Sequence, residues 1–337
     1  MNLAENHGRL TRLGENLLRF LRNEFDSPKL QLAQPLSPLA GGYENTICGL
    51  QLTNGPAFLS RALVLRVFSK NRKPSNLRWE SILHETLNRP DFPVPKIHCI
   101  CADTSILGSE FLLMDCVPGK QLITEPVVRM HELLAETHAK LHAIPIQPIR
   151  EKLKSLKISD NQFGIAYRLN WLRELANKNP SLNKLVQWLA DNRPAESDAL
   201  SVCHIDFHGF NVLVDNHQVS GILDWSDAII ADPAYDVANT MMLLTIPGKH
   251  LAADWQHLLD PNSPTMNPEE MADIYLQRYL SLRPLDLSRF TYYRVLRCAV
   301  ALSLKIYQVP ALLADLERYI LEQTDIAINR ASIQFDI

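Results

Sequence analysis

The chain has 337 residues, 46% hydrophobic and 21% charged, enough for one large domain or two lobes with a real core, which excludes wholesale disorder. A net charge of −3 without any basic run argues against a nucleic-acid partner, because phosphate-backbone binding leaves a basic excess. Charges run through the first segment, and no apolar stretch of about 18 residues occurs, so neither a signal peptide nor a membrane span is expected.

Apolar residues at Leu10, Leu13, Leu17, Leu18 and Leu21 recur at helical spacing and predict an amphipathic first helix. PLAGGYENTICGLQLTN reads as strand, glycine turn, strand, and ALVLRVFSK as a third strand. A helix is expected from about Ser75 to Leu87, ended by the prolines of PDFPVPK. KIHCICA and SEFLLMDCV predict two further strands with a turn between them, and PGKQL reads as a hinge. From Pro126 the pattern turns helical, in VVRMHELLAETHAKLHAI, YRLNWLRELANK and LNKLVQWLADN. NVLVDNHQVSGILDW interrupts these as a strand-rich interval with a hairpin turn at its centre, and helices then resume. The expected fold class is α+β: residues 1–117 form a lobe of antiparallel sheet plus helix, and residues 118–337 form a mainly helical lobe. The cysteines at 48, 99, 101, 116, 203 and 298 form no CxxC pair. They are expected to be reduced core thiols of a cytoplasmic protein.

The strongest chemical signal is HIDFHGFN, from His204 to Asn211, followed by GILDW, from Gly221 to Trp225. Phosphoryl transfer needs a carboxylate to orient and deprotonate the attacking hydroxyl, and oxygen ligands for Mg²⁺. Asp206 and Asn211, five apart on one loop, supply a base and a metal ligand. Asp224, at the end of a nearby strand, supplies a second metal ligand. The spacing His-x-Asp-x-x-x-x-Asn is that of a kinase catalytic loop. Singly these residues are common loop formers, and the ordered set is what carries the signal. His208 is a second candidate catalytic residue, with a hydrogen-bonded structural role as its alternative. His204 reads as structural. Between two strand patterns, GGYENT places Gly41, Gly42, Asn45 and Thr46 where a turn covers phosphates with backbone N–H groups, although an ordinary hairpin fits equally well.

These motifs resemble the aminoglycoside phosphotransferase and choline kinase-like superfamily, from about Pro38 to Leu244. Members carry a His-Gly-Asp-x-His-x-x-Asn loop, an Ile-Asp-Trp strand end and a later Asp-Pro-x-x-Asp, here DPAYD from Asp232 to Asp236. The resemblance implies a bilobal protein-kinase-like fold and transfer of the γ-phosphate of ATP, or of GTP, to a small-molecule hydroxyl. It further implies that Asp236 buttresses the loop and that Arg66 grips phosphates while paired to Glu80. By the same likeness Met114 lines the adenine pocket, and backbone groups from Asp115 to Val117 bind the base edge. His142, in the helix after the hinge, is expected to pack. The family's Gly before the loop Asp is Ile205 here. A β-branched residue tolerates positive φ badly, so an ordinary backbone is expected there.

No Asp-Phe-Gly or Ala-Pro-Glu segment occurs, which disfavours a protein kinase, and the intact acids disfavour a non-catalytic nucleotide-binding module. The acceptor stays open among aminoglycosides, macrolides, choline-like amines, other amino alcohols and biosynthetic intermediates. Asp227, Asp232 and Asp336 are the acids that would favour a cationic one, and SRFTYYRVLRCAVALSLKIY would line an apolar pocket or form a core helix.

Overall fold

A computed structural model describes residues 3–39, 45–69, 76–195, 197, 199–255, 267–303 and 309–328. The chain divides into two units, Met1–Pro118 and Gly119–Ile337.

In the first unit, helix α1 (Leu3–Glu24) precedes strands β1 (Gln31–Leu32), β2 (Ser37–Pro38), β3 (Thr46–Thr53) and β4 (Ala62–Val67). Helix α2 (Asn76–Leu87), β5 (Ile97–Cys101), α3 (Thr104–Leu107) and β6 (Phe111–Asp115) follow. The strands form an antiparallel sheet in the order β1-β3-β4-β6-β5, with β2 beside β3. Strand side chains alternate between faces. Leu63, Leu65 and Val67 of β4, with Cys48, Leu50 and Leu52 of β3 and Phe111 and Leu113 of β6, join Leu17 and Leu21 of α1 in one core. The opposite parity of β4 puts Arg66 on the other face, where Phe68 and Leu112 pack with Leu77 of α2. The segment joining β5 to β6 is helix α3 rather than a plain turn. Asp103 caps it by accepting from Ser105 N, and Gly108 closes it at φ +82°.

The second unit opens with a short strand, β7 (Lys120–Gln121), where the sequence suggested a hinge. Helices α4 (Val127–Ala143), α5 (Gln147–Ser155), α6 (Ile165–Lys178) and α7 (Asn183–Asp191) come next. They lead to β8 (Ser201–Cys203), β9 (Val212–Asp215), β10 (Gln218–Ile222) and β11 (Ile229–Ala231). Helices α8 (Pro233–Trp255), α9 (Pro268–Leu282), α10 (Phe290–Ser303) and α11 (Pro310–Thr324) complete it. Strands β9 and β10 form a hairpin whose turn residues, Asn216 and His217, both have positive φ, as a two-residue type I′ turn requires. β7 adds to β9 as the third strand. Gly119 at its entrance has φ +129°, and a Cβ there would meet Ser220 Oγ and Val214 O at 2.6 Å, so no other residue fits. The unit's core joins α6, α7, α8, α10 and α11.

All six cysteines are free thiols. Burial pushes Cys99 and Cys298 up to about 12, which keeps both protonated and unreactive. Among the described residues no helix is long and apolar enough to cross a membrane.

Candidate active site

Two short ladders build the site in the second unit. β8 pairs with β11, and β9 with β10. The loop 204–211 runs from β8 to β9, and the segment 223–228 runs from β10 to β11, so the two lie side by side. They are fastened together directly. Leu223 N–H donates to Asn211 O at 2.8 Å, and His204 Nε2 bonds Leu223 O at 2.8 Å. This places Asp224, next in the chain and held in the left-handed region at φ +58°, beside Asn211.

Within the loop, Asn211 Nδ2 donates to Asp206 O at 2.9 Å and to Asp206 Oδ2 at 3.1 Å. His208 Nε2 lies 3.3 Å from both Asp206 Oδ2 and Asn211 Nδ2. Burial raises the Asp206 carboxyl, but the His208 charge and hydrogen bond outweigh it, and Arg297 and His204 add to them. The net result holds Asp206 well below the usual carboxylate range. Burial lowers His208 while Asp206 raises it more, so the imidazole leans toward its charged form. Arg297, buried on α10, lies in the stretch that sequence suggested for an apolar pocket. A charged residue on a helix face gives no sequence cue that it faces a loop ninety residues earlier.

Ile205 corrects an expectation. Its φ is +71°, the left-handed region a β-branched residue avoids, and not an ordinary backbone. The surroundings over-determine it. Asp236 Oδ1 accepts from Ile205 N at 2.8 Å, Asp236 Oδ2 accepts from His204 N, and Asn239 Nδ2 donates to Ile205 O. Thr240 Oγ1 donates to Phe207 O at 3.1 Å, so one helix face, from Asp236 to Thr240 of α8, shapes the whole loop. Ile205 itself is 1% exposed and packs in the core. Ile205→Gly relieves about 1–2 kcal/mol of left-handed strain but forfeits a buried side chain worth about 2–5 kcal/mol. The variant is therefore expected to unfold at lower urea concentration while keeping turnover.

Asp236 also takes two imidazoles, His138 Nε2 at 2.9 Å and His142 Nε2 at 3.2 Å. His142, expected only to pack, is thus a buried polar partner of the loop's anchor. Burial pushes it down to about 4, with the neighbouring His138 acting in the same direction and Asp236 opposing it. Such a histidine binds its proton more readily in the unfolded chain. Its contribution to stability is present near neutrality and is lost as pH falls from about 6.5 to about 4, by about 3 kcal/mol in all. Melting temperatures measured across that range should fall with acidification, and less steeply in His142→Gln.

In the first unit, Arg66 Nη1 donates to Glu80 Oε1 at 2.7 Å, with both side chains buried. The guanidinium carbon lies 5.0 Å from the centre of the Phe68 ring. Asn45 Oδ1 accepts from Ser69 N at 3.2 Å, and Thr46 Oγ1 accepts from Arg9 Nη2 at 3.2 Å. Gly41 and Gly42 lie outside the described residues. Met114 sits in β6, opposite Val64 and Ile97. Asp115 accepts from Arg61 at 3.4 Å, and its Oδ1 pairs with His98 Nε2 at 2.7 Å. The backbone N–H groups of Asp115 and Cys116 go to Lys96 O and Ala62 O, so the donor to consider for a base edge is that of Val117.

An antiparallel unit with a buried cation–carboxylate pair, joined to a helical unit with an Asp–Asn loop, is the organisation of a small-molecule kinase with the protein-kinase-like fold. The chain belongs to the phosphotransferase enzyme family, whose model matches residues 35–284. Solved structures agree at the level of fold. Aminoglycoside phosphotransferase APH(4)-Ia aligns over 92% of this chain and 95% of its own, at TM-score 0.54 and 17% identity. An aminoglycoside-3′-phosphotransferase of type VIII aligns over 84% and 98%, at TM-score 0.54 and 20% identity. Among curated proteins, acyl-CoA dehydrogenase family member 11 of Homo sapiens is 27% identical over 284 residues, covering 75% of this chain and 35% of that protein. The Pongo abelii protein of the same name is 26% identical over 75% and 36%. The chain thus spans about a third of the length of these relatives. Hygromycin-B 4-O-kinase of Escherichia coli is 37% identical over 59 residues, 18% of this chain and 16% of its own.

Proposed function

We propose that this enzyme transfers the γ-phosphate of ATP, or of GTP, to a hydroxyl of a small molecule, with Asp206 as the base that orients the hydroxyl and takes its proton. The observation that carries this reading is the loop itself. Asp206 and Asn211 are hydrogen-bonded to one another, and the Asn211 carbonyl fastens the residue next to Asp224. Asp206 is held ionised near neutrality, the form that accepts the hydroxyl's hydrogen bond and orients it for attack. His208 beside it keeps the carboxylate in place and adds positive charge near the transferring group.

Asn211 and Asp224 suit Mg²⁺ by their chemistry, since both offer hard oxygen donors. With Asn211 Nδ2 turned to Asp206, its Oδ1 is the atom to ligate the ion. When bound there, Mg²⁺ supplies neutralisation of charge on the phosphates. In the first unit Arg66, oriented by Glu80, is the candidate grip on the α- and β-phosphates, a permanent cation with a fork suited to phosphate oxygens. The Gly41 to Thr46 turn, Met114 and Val117 are the candidates for the rest of the nucleotide. A solved neighbour at TM-score 0.51, again APH(4)-Ia, is a ternary complex with ADP and hygromycin B, which is consistent with nucleotide use here.

On the acceptor, two of the three acids that favoured a cationic substrate are already committed. Asp227 Oδ1 accepts from Arg168 Nη2 at 3.0 Å. Asp232 accepts from Ala234 N, Arg289 Nη1 and Tyr293 OH, capping α8. Asp336 lies outside the described residues. Neutral hydroxyl compounds therefore belong in the first screen beside amino alcohols, aminoglycosides and macrolides. The test is nucleotide consumption with each acceptor in the presence of Mg²⁺. Asp224→Ala should abolish the Mg²⁺-dependent rise in melting temperature that nucleotide gives to the parent enzyme, and an unchanged rise would sink the ligand assignment.

A further inference from the structure

Asp236 is the acceptor for four N–H groups. Two are the backbone amides of His204 and Ile205, and two are the Nε2 atoms of His138 and His142. The second nitrogen of each imidazole meets a tyrosine hydroxyl of α9. Tyr275 Oη lies 2.6 Å from His138 Nδ1, and Tyr279 Oη lies 2.7 Å from His142 Nδ1. The histidines are four apart on α4 and the tyrosines four apart on α9, so two facing helix stripes match pair for pair. All five side chains are buried. His138 also stacks on Phe207 of the loop, ring centres 4.2 Å apart.

The proton positions follow from the chemistry of the groups. An ionised carboxylate only accepts, so each Nε2 facing Asp236 carries hydrogen. In a neutral imidazole the other nitrogen is then an acceptor, and a tyrosine hydroxyl is the donor it meets. His138, His142 and Asp236 also bring their ligand atoms within 4.8 Å of one another, close enough to hold a cation. However, Asp236 Oδ2 already takes three N–H donors, which fill its lone-pair directions.

We propose that His138 and His142 are positioning residues for phosphoryl transfer: through Asp236 they hold the Asp206 loop in its left-handed bend at Ile205, while Tyr275 and Tyr279 donate to the Nδ1 of both rings in their Nε2–H form. The inference rests on Asp206 being the base, and it adds four residues that act on that base without touching the reacting atoms. It also explains how a β-branched residue is kept at φ +71°. The carboxylate gripping Ile205 N is itself gripped from behind by two rings whose tautomers leave it no alternative partner.

The experiment has two arms. Long-range ¹H–¹⁵N spectra of histidine-labelled enzyme, assigned with His138→Gln and His142→Gln, should show both imidazoles as Nε2–H tautomers. Tyr275→Phe and Tyr279→Phe, which remove one oxygen each and keep the packing, should shift the Nδ1 resonance of the facing imidazole as it loses its donor, while the hydrogen stays on the Nε2 that faces Asp236. The second arm is turnover. Each Tyr→Phe variant is expected to lower kcat about tenfold with the nucleotide KM within about twofold, because one hydrogen bond to a positioning group is lost. His142→Gln, whose amide still donates to Asp236, should retain more kcat than His142→Leu. Equal kcat in those two variants overturns the proposal, as does an Nδ1–H tautomer in the parent enzyme. Stoichiometric zinc that is released by His138→Gln would mean a metal site in its place. If no acceptor supports turnover, the kinase reading fails while the spectra still decide the tautomers.

Discussion

Asp206→Asn is expected to lower kcat by about 10²- to 10⁴-fold, the range typical for loss of a positioned base. The amide is nearly isosteric, and its oxygen still accepts from Asn211 Nδ2, so the loop keeps its shape. What disappears is the proton acceptor for the attacking hydroxyl. Stability should barely move, because Asp206 and His208 are 32% and 26% exposed, and a solvent-screened pair of that kind contributes under about 1 kcal/mol. The nucleotide KM should also hold, since the substitution touches neither Arg66 nor the Asn211 oxygen. Steady-state kinetics with the acceptor found by screening, together with a thermal melt, check all three points. A variant that turned over at a rate near the parent's would remove Asp206 from the chemistry.

Much of this site was legible because its determinants are local. Asp206 and Asn211 share one loop, and Asp224 follows at the end of a hairpin whose alternation and turn are plain in VLVDNHQVSGI. The pairing of Arg66 with Glu80 was implied by the family resemblance, and strand parity is the physical reason Arg66 lies on the face opposite Leu65 and meets Glu80. The parts that escaped are set by distant contacts. β8 and β11 are three residues each, too short for a period to register, yet their pairing brings the loop beside Asp224. The two residues of β7 read as a hinge, because only the β9 partner, some ninety residues on, makes them a strand. The bend at Ile205 is imposed by Asp236, thirty-one positions later, against the residue's own preference. His138, His142, Tyr275 and Tyr279 sat inside amphipathic helices, where a polar residue on the buried face is easily read as packing. The available cue was the spacing itself, two His and two Tyr each at i, i+4.

Asp236→Ala should be the most damaging single change outside the reacting groups, lowering stability by about 3–5 kcal/mol. The charge is completely buried, and its removal takes the acceptor from two backbone N–H groups and two imidazole N–H groups inside the core. Asp236→Asn is instructive for a different reason. Its amide offers one oxygen in place of two, so the NH₂ must face either Ile205 N–H or the set of His204 N–H and both imidazoles, and a donor then opposes a donor. In either orientation the left-handed bend at Ile205 loses support, and the backbone can relax toward the extended region that a β-branched residue prefers. Asp206, one residue further along, moves with it. Stability and kcat should therefore fall together across Asp236→Asn, Asp236→Ala and His138→Leu, whereas Asp206→Asn should lose kcat alone. Urea unfolding paired with single-turnover rates separates the two patterns. An Asp236→Asn enzyme of parental stability and reduced kcat would mean that the carboxylate acts on the reaction directly and does not work by holding the loop.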